Sequence, residues 1–412
     1  MPMPTHLPAQ PTRRMARAVR AALIAGIAGL SLAAAAQSAG PPIRIGVIGP
    51  FSGPSSDFGT PMLNGVRLAV EEINRVGGYL GRPIETLVKD DRADPDTGLQ
   101  GAQALVQAGV VATIGFCNTG VALKAIDLFQ DAKSPLIVPC STGTAVTAKY
   151  PAPDSYIFRV QARDAIQAPF VVNDIVQRGW KRVAVFADTS GYGEAGLVDV
   201  QKALAAHGLA PAHVARFAIG VKDLKAELQA ARAAGANVIF SYTVGPENAT
   251  IANDRRTLGW DVPLVGGWPL SFPFFIDGAA QAAVGALMAQ TFIAEPSNER
   301  RAAFLANYAR AFKTRLTVPM AAAQAYDTTY LLLYAMFGVP GGRFTGPALK
   351  ASLENLQRTY YGVVATYDHP FTADDKDAVT DNMLVMGKVH QGAVTFAYPE
   401  DARRNLFVQR KR

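Results

Sequence analysis

Residues 41–78 read PPIRIGVIGPFSGPSSDFGTPMLNGVRLAVEEINRVGG. The run Ile43 to Gly49 is apolar apart from Arg44 and predicts a buried strand. Small and polar residues follow from Pro50 to Gly59 and predict a loop. Thr60 then suits a helix N-cap with Pro61 at the first helical position. Met62, Val66, Ala69, Val70 and Ile73 recur at helical spacing, and Gly77-Gly78 ends the helix. A strand, a Ser/Gly loop and a helix N-terminus in that order set free backbone N–H groups at the carboxyl end of a sheet. Such a place can hold a small anion or zwitterion, although an ordinary βα unit reads the same way.

The same alternation continues outward. Strand-like runs lie at Ile84–Val88, Val110–Ile114 and Leu136–Val138. A second series runs through Arg182–Phe186, Val214–Ile219, Val238–Phe240, Pro263–Val265 and Leu287–Ile293. Helical stretches intervene, such as Asp164–Arg178 and Asp223–Ala234, the latter closed by Gly235. Strand–helix alternation implies α/β architecture with parallel sheets covered on both faces. Pro151-Ala152-Pro153 separates the two series and reads as a domain crossing.

Upstream, Arg13, Arg14, Arg17 and Arg20 precede a short apolar run, Ala21–Leu32, and small residues at Ala34-Ala35-Ala36. This is the pattern of a cleavable export signal over residues 1–36, and the run is too short for a comfortable membrane span. The mature protein is expected to be soluble and outside the cytoplasm. Lys and Arg number 40 against 33 Asp and Glu, a formal +7. Removing residues 1–36, which hold four arginines and no acid, leaves 36 against 33, or +3, over about 376 residues. No basic run or aromatic–basic stripe appears, so nucleic acid is not an expected partner. A chain of that length suits two α/β lobes.

Catalytic motifs are absent. None of the five histidines has metal-ligand spacing to a second ligand, and no nucleophile elbow, phosphate loop or dinucleotide fingerprint occurs. Asp90-Asp91 reads first as a capping turn before Asp94-Pro95-Asp96. Tyr192, in Gly191-Tyr192-Gly193-Glu194, fits either a ligand contact or plain turn chemistry.

The ordered set IRIGVIGPFSG, FG, NGVRLAVEEINRVGG, DDRADP, ATIG, SPLIVP and YGEAG resembles the periplasmic substrate-binding proteins of ABC transporters. It is similar in particular to their leucine/isoleucine/valine-binding branch, with the type I periplasmic binding protein fold, from about Ile43 to about Ile293 and more weakly beyond. The resemblance implies two doubly wound parallel-sheet lobes joined by three hinge crossings and closing over one small ligand. It implies an N-terminal lobe of 41–160 plus 291–362 and a C-terminal lobe of 161–290 plus 363–412. It also implies a monomer that performs no chemistry, needs no cofactor and delivers a small-molecule ligand to an ABC permease in the inner membrane. A periplasmic sensory or regulatory receptor is the alternative class for this fold.

Carried over by position, the resemblance puts the ligand's carboxylate against two N-lobe loops. Asn118 or Thr119 stands where the family has a serine, and Thr142 matches a ligand-binding threonine beside Cys140 and Ser141. Short hydroxyls and loop N–H groups can hold a carboxylate without a counter-charge. Ser141 and Thr142 read equally as caps of the next helix. Phe58 falls on an aromatic that packs against the ligand, and Tyr192 on a tyrosine that closes over it. Two positions depart. The family's ammonium-pairing acid falls at Trp268 and a nearby tyrosine at Val244. An indole N–H only donates, so Trp268 cannot accept from an ammonium. With Phe51, Phe58, Phe116 and Tyr192 it would suit an aromatic carboxylate as well as the family's default amino acid. A shifted register, with Glu247 or Asp277 supplying the acid, is the competing reading. Cys117 and Cys140, at adjacent strand ends, are either bridged or two free thiols.

Overall fold

Two large sheets and one two-stranded hairpin hold the strands of this computed structural model, which describes Met1, Pro2 and residues 40–404. Beyond its first two residues, the export signal expected over 1–36 lies outside the described residues. The chain begins with β1 (Ile43–Gly49), α1 (Ser56–Arg75), β2 (Ile84–Asp90), α2 (Pro95–Gln107) and β3 (Thr113–Ile114). Then come α3 (Thr119–Asp131), β4 (Leu136–Val138), α4 (Ala145–Ala148) and β5 (Ile157–Arg159). The five strands form one parallel sheet in the order β2-β1-β3-β4-β5. Ile43, Ile45, Val47 and Ile48 of β1 are all buried, as a parallel strand covered on both faces requires.

The chain then crosses to α5 (Asp164–Gln177), β6 (Val183–Asp188), α6 (Gly191–Ala205), β7 (His213–Phe217) and α7 (Lys225–Ala233). It continues through β8 (Val238–Tyr242), α8 (Glu247–Thr257), β9 (Leu264–Gly266), α9 (Pro273–Ala279) and β10 (Leu287–Gln290). A second crossing returns it to α10 (Glu299–Phe312), α11 (Pro319–Phe337) and α12 (Gly346–Glu354). Next is the hairpin of β11 (Tyr360–Tyr361) and β12 (Thr366–Tyr367). The third crossing leads to β13 (Val385–His390) and β14 (Ala393–Phe396). The second sheet has the order β14-β13-β10-β9-β8-β6-β7, parallel from β10 to β7, with β13 and β14 antiparallel at one edge. The result is the two-lobed, doubly wound α/β fold that the sequence predicts.

Helix α11 lies along α1, and Gly65 makes the approach feasible: a Cβ there would sit 2.1 Å from the Ala322 carbonyl oxygen. The first and third crossings run side by side. Arg159 N–H donates to the Lys376 carbonyl at 2.9 Å, and Ala378 N–H donates to the Arg159 carbonyl at 2.8 Å. The fully buried Arg159 guanidinium ties the crossings to the site. It donates to Asp377 (2.6 Å), to the Thr142 and Gly143 carbonyls (3.0 and 2.8 Å) and to Thr147 Oγ1 (2.6 Å).

Three local expectations need correction. Helix α1 starts at Ser56 with Ser55 at the N-cap, so Pro61 lies inside it rather than at its first position. The ring removes the N–H that would bond Asp57, and Thr317 Oγ1 takes that carbonyl instead at 2.7 Å. The Pro-Ala-Pro segment is a short 3₁₀ turn before β5, and the lobe crossing comes after that strand. Ser141 and Thr142 cap no helix: the N-cap of α4 is Thr144, with no side-chain cap bond.

Candidate functional site

In each sheet the strand order reverses direction once, between β1 and β3 in the first and between β6 and β8 in the second. Loops leaving the carboxyl ends of strands at such points splay apart and leave a crevice. The two crevices face each other and make one cleft of about 350 Å³. The loop after β3 and the start of α3 contribute Cys117, Asn118, Thr119, Gly120 and Val121, and the loop after β4 contributes Thr142. Across the cleft stand Ser190, Gly191 and Tyr192 after β6, Val244 to Pro246 after β8, and Trp268 after β9. Ser55, Pro54, Ala93, Pro95 and Ile219 complete the wall. Among these lining residues there is no Asp, Glu, Lys, Arg or His.

The two facing helix N-termini differ. Ser190 caps α6: its Oγ accepts from Tyr192 N–H (3.2 Å) and Gly193 N–H (3.3 Å) and donates to Asp188 at 2.5 Å. Asn118, at the N-cap of α3, makes no cap bond. Its Nδ2 donates instead to Ser55 Oγ at 3.2 Å, and its Oδ1 is buried without a partner. The first N–H groups of α3 therefore remain unsatisfied by the protein and face the cleft. The lobes meet here, because a Cβ on Gly191 would lie 3.1 Å from Gly120 Cα.

Six of the nine residues carried over by position line the cleft: Asn118, Thr119, Thr142, Tyr192, Val244 and Trp268. Three stand behind it. Ser141 is fully buried, and its hydroxyl pairs with Thr119 Oγ1 at 3.1 Å, tying the two N-lobe loops together. Cys140 is buried beside it. Phe58, now a helical residue, backs Trp268 edge-on at 6.1 Å and stacks on Phe272 at 4.9 Å. The expected five-aromatic lining reduces to Tyr192 and Trp268. Phe116 turns into the N-lobe core against Phe129 at 6.2 Å, and Phe51 also lies outside the lining. Ser55, Ser190 and Ile219 were not singled out from the sequence, although Ser55 lies in the opening loop and Ser190 directly before Gly191-Tyr192.

Three of the acids near the cleft, Asp188, Glu247 and Asp277, are committed elsewhere, and Asp164 is not. Asp188 accepts from Ser190, Thr243 Oγ1 (2.7 Å) and Val244 N–H (3.0 Å). Glu247 is buried and accepts from Gly220 N–H at 2.5 Å. Asp277 is exposed and pairs with Arg315 at 3.3 Å. Asp164, wholly buried behind Thr142 and Tyr192, is pushed up to about 7 by burial, against weaker lowering contacts from the Tyr242 and Thr142 hydroxyls and Arg159. Burial likewise raises Asp91 to about 7, while Ala93 N–H donates to it at 2.8 Å. Asp90 serves the turn, accepting from Phe51 N–H (2.9 Å), and Asp94 is the N-cap of α2, accepting from Thr97 N–H (2.7 Å). Cys117 and Cys140 are free thiols, and burial pushes Cys117 well above its ordinary range, with Cys140 adding to the rise.

Residues 42–393 match the model of the family described as periplasmic binding protein. The chain belongs to the periplasmic binding protein family. Its family ties run to the leucine/isoleucine/valine-binding branch. It is 31% identical to a Leu/Ile/Val-binding protein homolog of Brucella melitensis over 252 residues, 60% of this chain and 67% of that one. Among solved structures, a leucine binding protein of Thermotoga maritima aligns with TM-score 0.75 and 24% identity, covering 87% of this chain and 99% of that one. A solute binding protein of R. palustris in complex with 4-hydroxybenzoate aligns with TM-score 0.74 and 21% identity, covering 85% and 94%. A periplasmic binding protein is a solute receptor of ABC transport and not an enzyme, and the family's station is the periplasm.

Proposed function

We propose that this receptor closes over a small carboxylate that lacks an α-ammonium, an aromatic carboxylate in particular, and delivers it as a monomer to an ABC permease in the inner membrane. One observation carries the reading: the cleft wall offers an anion seat and no counter-charge for a cation. The seat consists of the uncapped N-terminus of α3 with the Thr119 and Thr142 hydroxyls. Hydrogen bonds to a charged acceptor are worth roughly 1.5–3 kcal/mol each. An ammonium enclosed opposite Trp268 would lose its hydration with no carboxylate to meet it, at a cost of several kcal/mol. A planar ring between Tyr192 and Trp268 has no such cost and gains stacking. The lobes so joined would be 41–160 with 291–362 and 161–290 with 363–412, after release of a signal at 1–36.

Thermal shift of the mature protein tests this directly, since a ligand at 100 times its dissociation constant stabilises by about 2.7 kcal/mol. Benzoate and 4-hydroxybenzoate should raise the melting temperature while leucine and valine leave it unchanged. Trp268→Glu should reverse that preference. A shift with leucine in the unsubstituted protein would restore the branched-chain amino acid reading, which the names of the relatives favour.

A further inference from the structure

Behind the N-lobe wall of the cleft, three sulfur atoms from three separate chain segments converge. Met62 comes from α1, Cys117 from the loop after β3 and Cys140 from the loop after β4. Cys117 Sγ donates to Met62 Sδ at 3.4 Å, and Cys140 lies in the same buried cluster on the adjoining loop, whose Ser141 N–H donates to the Phe116 carbonyl at 3.0 Å. Met62 and Cys140 are fully buried, while Cys117 reaches the cleft wall and so gives the cluster an entry path. Harder ions find no alternative here: among the described residues no three His, Cys, Asp or Glu side chains gather as ligands. Thiolate and thioether donors together select soft cations, Cu(I) above all.

We propose that Met62, Cys117 and Cys140 form a three-sulfur site for one soft monovalent cation of the Cu(I) class. Each cysteine ligates as its thiolate and releases its proton to water, while the thioether binds neutral, so the filled site carries one net negative charge. That charge lies just ahead of the uncapped N-terminus of α3, whose dipole stabilises it. Metal–sulfur bonds of about 2.3 Å set trigonal ligands about 4 Å apart. The 3.4 Å contact must therefore widen by roughly half an ångström, within the freedom of an unbranched Met side chain. Because Cys117 belongs to both the wall and the cluster, a bound cation alters the cargo cleft from behind.

The test uses reduced, metal-free mature protein, in which denaturant exposes two titratable thiols. Ag(I) serves as a redox-inert probe, and Cu(I) is supplied anaerobically from a competing chelator. One ion per chain is expected, with thiolate-to-metal absorption in the near ultraviolet and both thiols masked. Met62→Leu, which keeps the volume, should weaken binding at least tenfold, and Cys140→Ser should abolish the stoichiometric site. Circular dichroism checks that each variant is folded, and Cys117→Ser serves where Cys140→Ser is not. Failure of the reduced protein to take up one ion, uptake by folded variants equal to that of the unsubstituted chain, or a Cys117–Cys140 disulfide that resists reductant would each overturn the proposal.

Discussion

Replacing Arg159 with methionine removes a buried cation that touches both the hinge and the anion seat. Four donated bonds are lost: one to Asp377, two to the Thr142 and Gly143 carbonyls and one to Thr147. Asp377 keeps Arg163 at 2.8 Å, but that partner is one-third exposed. Breaking a buried pair from one side costs about 3–5 kcal/mol, and the remaining arginine argues for about 3. Burial alone would raise the Asp377 carboxyl; the two arginines more than offset that and hold it below its ordinary value. A depressed carboxylate stabilises the fold above its unfolded value, near 3.9, and loses that contribution as pH falls through the folded value. Urea denaturation at pH 7 should therefore show the full penalty of Arg159→Met, and the penalty should shrink below about pH 4. The double variant with Asp377→Leu should recover part of the loss, since no buried charge is then stranded. A loss under about 1 kcal/mol at pH 7, or one unchanged down to pH 3, would refute the reasoning.

Three further outcomes follow from the same geometry. Thr142→Val keeps the shape and removes one hydroxyl from the anion seat, so calorimetry should find cargo affinity ten- to hundredfold weaker, about 1.4–2.7 kcal/mol; unchanged affinity would move the carboxylate elsewhere. Gly191→Leu adds a side chain whose Cβ alone would lie 3.1 Å from Gly120 Cα, so the lobes should be held apart. Its signature is weaker binding and a larger small-angle-scattering radius with little change in melting temperature. Asp164 has the opposite sign from Asp377: its folded value is raised to about 7, so stability declines as pH rises from about 4 to 7 and is level above. Asp164→Asn removes that slope, worth up to about 4 kcal/mol relative to the unsubstituted chain; parallel stability–pH curves for the two proteins would contradict this.

The sequence made the architecture legible because alternation is a long-range signal: Leu136–Val138 and Asp164–Gln177 fall within a residue of the runs read as strand and helix. Boundaries failed where one tertiary contact outweighed a local rule. Pro61 reads as a helix start until Thr317, far along the chain, supplies a donor for the carbonyl it orphans. Loop residues of the site were legible by position, and which way a side chain turns was not. Phe116 adjoins Cys117 in sequence, yet it faces the opposite side of the sheet and packs on Phe129. Ser141 and Thr142 are chemically alike neighbours, but one braces Thr119 and the other faces the cleft. Both pairs lie in loops just past strand ends, where the backbone path sets each side chain's direction and no composition signal marks which is which.

The unequal capping of the two helices assigns the lobes different tasks. Ser190 commits its oxygen to α6, and Asp188, which orients Ser190, also satisfies Thr243 and Val244. The C-lobe helix end is thus capped and Asp188 has partners, and what this face presents is ring surface from Tyr192 and Trp268 together with the Tyr192 hydroxyl, which is buried without a hydrogen-bond partner. The N-lobe face is open, because Asn118 leaves α3 uncapped. On the proposed function, a carboxylate would gain most of its polar energy from the N-lobe before closure, and closure would add apolar contact and exclude water. Discrimination between a neutral ring and an ammonium-bearing side would then arise at that second step. Only then would a charge without a partner be buried, and the several kcal/mol that this costs would exceed the roughly 2 kcal/mol that a cation–π contact with the aromatic roof returns.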